Sequence, residues 1–234
     1  MHEDLPENPD GEDPGLAAEQ DRLLRERFPG GFPGCLAGER YLCKWSRAAE
    51  AFPEWDQVAA WPRLHVEIGC GKALGLVEQA RCEPGAFHLG IERCAERFRA
   101  ALRRAERAAL PNLLVVRRDA VPLLAFNFPD RSVDRLAFLY PDPWPKAGHA
   151  ARRWHLHPFV MTLVRVLRPG GSILVASDRE GYVREAAAVY TLLGLAVRRL
   201  GPVPAGSRRS HFEVKYLARG MTLHEARLVK PGPG

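Results

Sequence analysis

Apolar runs of strand length recur from residue 64 onward, at Leu64–Ile68, Phe87–Ile91, Leu113–Val116, Val133–Tyr140 and Ser172–Ser177. Between them, apolar positions fall three and four apart, which predicts helices over about 74–81, 93–109, 156–167 and 180–193. Runs that are apolar throughout suit strands covered on both faces, and strands alternating with helices predict βαβ units and a parallel sheet. The Arg168-Pro169-Gly170-Gly171 turn is expected to end a helix, glycine supplying a left-handed cap, and to feed the next strand. Leu195–Arg199 and Phe212–Arg219 read as a late pair of strands. The pattern predicts one doubly wound α/β domain whose mostly parallel sheet ends in an antiparallel C-terminal strand pair.

Ahead of residue 64 the pattern changes. Residues 1–20 have no apolar periodicity and read as disordered. Residues 21–60 hold a short Arg-containing helix candidate, a Gly/Pro-rich turn at Phe28–Gly34 and an aromatic stretch at Trp45, Phe52 and Trp55. Trp45, Trp55 and Trp61 are expected to anchor this extension by packing. The chain thus divides into an acidic tail over 1–21 and a single domain over 22–234, with an N-terminal extension and a core over 62–226.

A length of 234 residues suits one sizeable core. No apolar run approaches the roughly 20 residues that span a bilayer, and the N-terminus lacks a basic segment followed by an apolar one. Neither a membrane span nor a signal peptide is expected. Cys35, Cys43, Cys70, Cys82 and Cys94 are odd in number and form no CxxC pair, so buried free thiols in a reducing cytoplasm are expected, and no metal site. The eight acids within residues 1–21 face no Lys or Arg there, so the net charge of +6 conceals a remainder at +14. A body so basic attracts polyanions by long-range fields and counterion release, although an Arg-rich composition alone would also produce it.

The chemistry concentrates where strands end. Val66-Glu67-Ile68-Gly69-Cys70-Gly71-Lys72-Ala73 closes the first strand and opens a helix, at the edge where open α/β sheets bind ligands. Gly69 and Gly71 let the backbone pass close to a bound molecule. Glu92 ends the second strand, where a carboxylate suits a ribose diol, and Asp119 ends the third, where it can face an adenine edge. A GxG pair alone also fits a dinucleotide-binding oxidoreductase. The third Rossmann glycine, which seats a pyrophosphate, is absent, and Glu67 precedes the glycines; both features favour S-adenosylmethionine, which has no phosphate.

The fourth strand runs into Tyr140-Pro141-Asp142-Pro143-Trp144-Pro145-Lys146. Two prolines fix the backbone around Asp142, Trp144 offers a flat surface for a base, and Lys146 offers a point charge for phosphate. His149, Arg152 and Arg153 follow closely. An acid and an aromatic flanked by cations suit a nucleobase carried on a polyanion. Other arginines (Arg97, Arg103, Arg104 and Arg107) are spaced as a solvated helix face, and His88, His155, His157 and His224 show no partner pattern.

These residues resemble the bacterial tRNA (guanine-N7)-methyltransferases over about residues 64–225. The likeness rests on Glu67-Ile68-Gly69-x-Gly71, Gly90-Ile91-Glu92, Asp119-Ala120, the Pro-Asp-Pro-Trp-Pro-Lys run, Arg152-Arg153, Leu167–Gly171, Ser177-Asp178 with Tyr182, and Phe212–Tyr216 with Gly220. It implies a Rossmann-like, cytoplasmic enzyme, a monomer or homodimer, that uses S-adenosyl-L-methionine and tRNA and acts in the variable loop. It implies that Glu67, Gly69, Gly71, Glu92, Asp119 and Asp142 contact the cofactor, with Asp142 also catalytic. Lys146, Arg152, Arg153, Asp178, Ser210 and Glu213 fall on substrate positions. The chain departs from the family at Ala73, where a third glycine is common, at Ala151, where a basic residue is usual, and at Ser210-His211, where a Thr-led pair is usual. A non-catalytic or weakly active RNA-binding relative, and a methyltransferase acting on another substrate, remain the alternatives.

Overall fold

The computed structural model describes residues 51–232. The expected acidic tail, the turn at Phe28–Gly34, Trp45, Cys35 and Cys43 lie outside the described residues. A short helix α1 (Trp55–Ala59) leads into β1 (Leu64–Ile68), α2 (Leu74–Cys82), β2 (Phe87–Ile91), α3 (Ala95–Ala108), β3 (Leu113–Val116) and α4 (Ala120–Asn127). Then come β4 (Val133–Leu139), a 3-10 turn over Ala147–Arg152, α5 (Val160–Val166), β5 (Leu167–Ser177), α6 (Glu180–Leu192), β6 (Ala196–Pro202), α7 (His211–Leu217) and β7 (His224–Val229).

The seven strands form one sheet in the order β3-β2-β1-β4-β5-β7-β6. β1 pairs in parallel with both β2 and β4, while β7 runs antiparallel between β5 and β6. The chain winds outward from β1 to β3 and returns beside β1 as β4, so the switch point lies between β1 and β4. Over β1 to β5 both faces of the sheet are covered, which is why those strands are mainly apolar, whereas edge strand β6 is left partly exposed. Leu64, Val66 and Ile68 pack with Phe87, Leu89 and Phe138 under α4, α5 and α6. On the other face Leu76, Val77 and Ala80 of α2 and Ala101 of α3 close over Leu113 and Val115.

Four expectations need correction. Phe212–Arg219, read as a strand, holds helix α7; the partner of β6 is β7. Ser210 caps α7 by accepting a hydrogen bond from the Glu213 backbone N–H at 3.1 Å. The Arg168–Gly171 segment does not cap α5, which stops at Leu167 in extended geometry. It belongs to β5: Gly170, at φ +77°, donates to the Lys230 carbonyl while the Lys230 N–H donates to Gly171. Residues 120–127, given no element, form α4, capped by the Asp119 carboxylate on Val121 N–H at 3.0 Å. Cys70 is buried, but Cys82 and Cys94 are exposed at the end of α2 and the start of α3; all three are free thiols.

Candidate active site

The carboxyl ends of β1, β2, β3 and β4 open onto a cleft of about 520 Å³. The loop after β1 forms its floor. Gly69 and Gly71 hold φ +78° and +58°, and a Cβ on either would meet nothing within 4 Å, so both face open space. The Gly69 N–H donates to the Ile91 carbonyl at 2.8 Å, which stitches the loop to β2. Ala73 takes the left-handed φ +54° at the start of α2, a conformation that costs a residue with a Cβ about 1 kcal/mol.

The acids around this loop have different surroundings. Glu92 is buried, and its carboxylate accepts from Gly71 N–H at 3.0 Å and Cys94 N–H at 2.8 Å, which fixes it at the tip of β2. Asp119 lines the cleft, its carboxylate shared between the α4 cap and Arg93 at 3.6 Å. Glu67 is buried behind the loop, and its Oε2 has no hydrogen-bond partner among the described residues. Burial pushes its carboxyl up to about 8; Arg209 opposes that rise and Glu213 and Glu92 add to it.

Asp142 lies exposed in the cleft wall on the segment after β4. Its neighbours carry unusual backbone: Tyr140 has φ +56° and Trp144 φ +42°. Left-handed geometry in bulky residues costs about 1–3 kcal/mol each and persists only where surroundings enforce it. Those surroundings are identifiable. Tyr140 OH donates to Glu213 Oε2 at 2.6 Å, and its ring stacks on Phe212 at 4.6 Å. Arg153 donates to the carbonyls of Pro143 and Trp144 at 3.1 and 3.0 Å and pairs with Glu185 at 2.5 Å. His155 meets the same Glu185 oxygen at 2.9 Å. Burial alone would raise the Glu185 carboxyl, but His155 and Arg153 together hold it below its ordinary range.

Of the residues singled out from the sequence, Gly69, Glu92, Asp119, Asp142 and Arg152 line the cleft together. Glu67 and Gly71 support its floor. Lys146 is exposed at the start of the 3-10 turn. Asp178 follows β5, where the Ser177 hydroxyl donates to it at 3.3 Å and Arg179 stands 3.8 Å away. Glu213 is fully buried: it accepts from Arg209 N–H at 2.9 Å, from the Arg209 guanidinium, from Tyr140 and from the Ser207 hydroxyl. Burial would raise its carboxyl; these bonds outweigh that and lower it. Ser210, Glu213 and Arg153 were expected at the substrate; Ser210 caps α7, Glu213 joins it to Tyr140, and Arg153 braces the Trp144 loop.

The cleft also contains Arg93, Arg97, Arg118, Trp154 and His157, which carried no motif. His157 had no partner pattern in sequence; its Nδ1 accepts from Phe159 N–H at 3.2 Å, and burial lowers the imidazole below its ordinary value, against a smaller pull from Asp119. Nothing in the spacing of these residues marks them, because three of the four strand ends must meet before they share a wall. Among the described residues no group of His, Cys, Asp and Glu is arranged to hold a metal ion, and no helix is long and apolar enough to cross a membrane.

Residues 62–199 match the model of the family Methyltransf_4, described as "Putative methyltransferase". A tRNA (guanine-N(7)-)-methyltransferase of Roseobacter denitrificans is 32% identical over 222 residues, covering 92% of this chain and 91% of its own. The enzyme of the same name from Nocardia farcinica is 38% identical over 176 residues; the match spans 69% of this chain and 65% of that protein. Among solved structures, a mutant 16S rRNA (adenine(1408)-N(1))-methyltransferase from Catenulisporales acidiphilia, crystallised with S-adenosylmethionine, aligns with TM-score 0.55 at 19% identity, covering 79% of this chain and 93% of that one. That likeness is one of fold.

Proposed function

The chain belongs to the tRNA (guanine-N(7)-)-methyltransferase family of S-adenosylmethionine-dependent enzymes, and from that premise we propose that it methylates guanine N7 in tRNA, in the cytoplasm, with Asp142 as the group that reads the base. The observation that carries this reading is the placement of Asp142. It is an exposed carboxylate on a strained, braced loop, within the same cleft as the open glycine turn.

The site fits the methyl donor in its chemistry. Gly69 and Gly71 leave room where side chains would intrude, Glu92 presents a fixed carboxylate to vicinal hydroxyls, and Glu67 offers a polar group a buried oxygen that has no hydrogen-bond partner among the described residues. When bound, S-adenosylmethionine supplies an electrophilic methyl group on a positively charged sulfur. The chain's task is then largely one of alignment, because guanine N7 carries an in-plane lone pair and no proton, so no general base is required. Positive charge arrives on the purine as the new bond forms. Asp142 faces that charge from a loop already held in place, so its carboxylate needs little reorganisation to stabilise it. The same oxygens accept hydrogen bonds from the Watson–Crick edge of guanine. Lys146 and Arg152 reach the phosphates on either side, Asp178 supplies a further acceptor beyond β5, and Arg153, Ser210 and Glu213 act by holding the loops that carry these groups. A base presented from a loop of the RNA reaches such a cleft, whereas N7 in an A-form helix is turned into the deep groove.

Transfer of radiolabelled methyl to unmodified tRNA, followed by digestion to nucleosides, tests the proposal. Label is expected in 7-methylguanosine. Label in another nucleoside, or none from a protein that binds S-adenosylhomocysteine, overturns it.

A further inference from the structure

Trp144 lines the cleft beside Asp142, and one face of its ring carries the guanidinium of Arg152, 4.8 Å from the ring centroid. His149 meets the ring edge-on at 5.6 Å. The backbone beneath is held in the left-handed region, with Arg153 donating to the Trp144 carbonyl and Arg153 itself pinned by Glu185. An indole fixed in this way, on a braced backbone beside the base-reading carboxylate, has a surface that attracts cations.

Methylation at N7 breaks the bond from the donor sulfur to the methyl carbon and forms one from that carbon to N7. No proton leaves, so the positive charge of the sulfonium passes to the purine. The substrate is a neutral plane and the product a cationic one. We infer that the Trp144 ring is the stacking platform for the target guanine and that it favours the cationic, N7-methylated purine over the neutral one, with Arg152 occupying the same face until the base displaces it. This rests on the guanine-N7 reading above. Stacking on an aromatic ring is available to any base, whereas the added attraction of a cation to indole grows only as the charge reaches the purine. Trp144 therefore stabilises the developing charge from above the ring while Asp142 does so from its edge. Arg152, released from the indole, becomes available to a phosphate.

Calorimetric titration of the protein–S-adenosylhomocysteine complex with guanosine and with 7-methylguanosine tests the platform without any phosphate contribution. The wild-type protein is expected to bind 7-methylguanosine about threefold to tenfold more tightly. Trp144→Leu should remove that preference, and Trp144→Phe should keep part of it. Arg152→Gln should retain the preference and strengthen binding of both nucleosides, because nothing then competes for the ring. Equal affinities in the wild-type protein overturn the inference, as does a preference that survives in Trp144→Leu or vanishes in Arg152→Gln. If Trp144→Leu no longer binds S-adenosylhomocysteine, Arg152→Gln and Trp144→Phe decide the matter. Label in 7-methylguanosine of tRNA without a nucleoside preference would leave the guanine-N7 reading standing and remove the platform. A failure to label tRNA would remove both.

Discussion

Asp142 and Glu67 are carboxylates of one cleft with opposite surroundings, and substitution separates their contributions. Asp142 is exposed, so Asp142→Asn keeps its shape and hydrogen-bonding span while deleting the charge that faces the purine. With saturating tRNA and cofactor, kcat is expected to fall about a hundredfold, the scale of losing one preorganised electrostatic contact; a wild-type rate would remove Asp142 from the chemistry. Glu67 titrates in the folded protein near 8, raised by burial, and near its ordinary 4.5 when unfolded. Between those values the folded state binds the extra proton, so its stability falls as pH rises, by up to ~1.4 kcal/mol per pH unit. His65 acts in the opposite sense: burial first, then Arg135, holds it at about 3, so its contribution grows with pH, but only below its ordinary 6.5. The window from about pH 6.5 to 8 therefore isolates Glu67. Urea unfolding of the cofactor-free protein across it should show a decline that Glu67→Gln abolishes. Equal slopes in the two proteins would mean that the buried carboxyl is not the cause.

At the scale of elements, α2 and the segment ahead of α7 form one unit. A Cβ on Gly75 would lie 1.8 Å from the Arg209 carbonyl oxygen, while Arg104 donates to the Lys72 carbonyl and lies 3.2 Å from His211. The chain entering α7 thus rests on the first turn of α2. Gly75→Ala should push the two apart, with a stability loss of about 1–3 kcal/mol and weaker binding of S-adenosylhomocysteine, read by chemical denaturation and by titration. Unchanged stability and affinity would show that this contact is slack. The same region separates what the sequence reveals from what it conceals. β1, β2 and β3 were legible to the residue, because strands buried on both faces leave mainly apolar runs, broken here only by His65 and Glu67 in β1 and by His88 in β2. Phe212-Glu213-Val214-Lys215-Tyr216 alternates as a strand would, yet Ser210-x-x-Glu213 carries the signature of a helix start, and the helix prevailed. The main partner of Glu213 outside its own segment is Tyr140, 73 positions earlier. A contact that distant leaves no local trace, so the join that Glu213 makes between α7 and the loop after β4 is not legible in the sequence.

For the whole molecule, charge is the property that a polyanionic substrate meets first. Arg93, Arg97, Arg118 and Arg152 share the cleft wall, and the chain carries a net +6 despite its acidic first segment. The KM for tRNA should rise steeply with salt, and Arg152→Ala should lower the slope of log KM against log salt by about one. An unaltered slope would show that Arg152 reaches no phosphate. The doubly wound plan followed from the alternation of runs, and with it the placing of the glycine loop, Glu92 and Asp142 at strand ends. The opposing wall did not, since His157 and Arg97 reach the cleft only through the winding of the sheet.

β7 lies between β5 and β6, although it is the last strand in chain order. During synthesis, then, β6 is made before β7, the strand it pairs with among the described residues. At translation rates of about 5–20 residues per second, the 27 residues from Pro202 to Val229 take on the order of one to five seconds. For that interval β5 and β6 both present unpaired edges to the crowded cell, and the nascent chain is most exposed to misassembly with its neighbours.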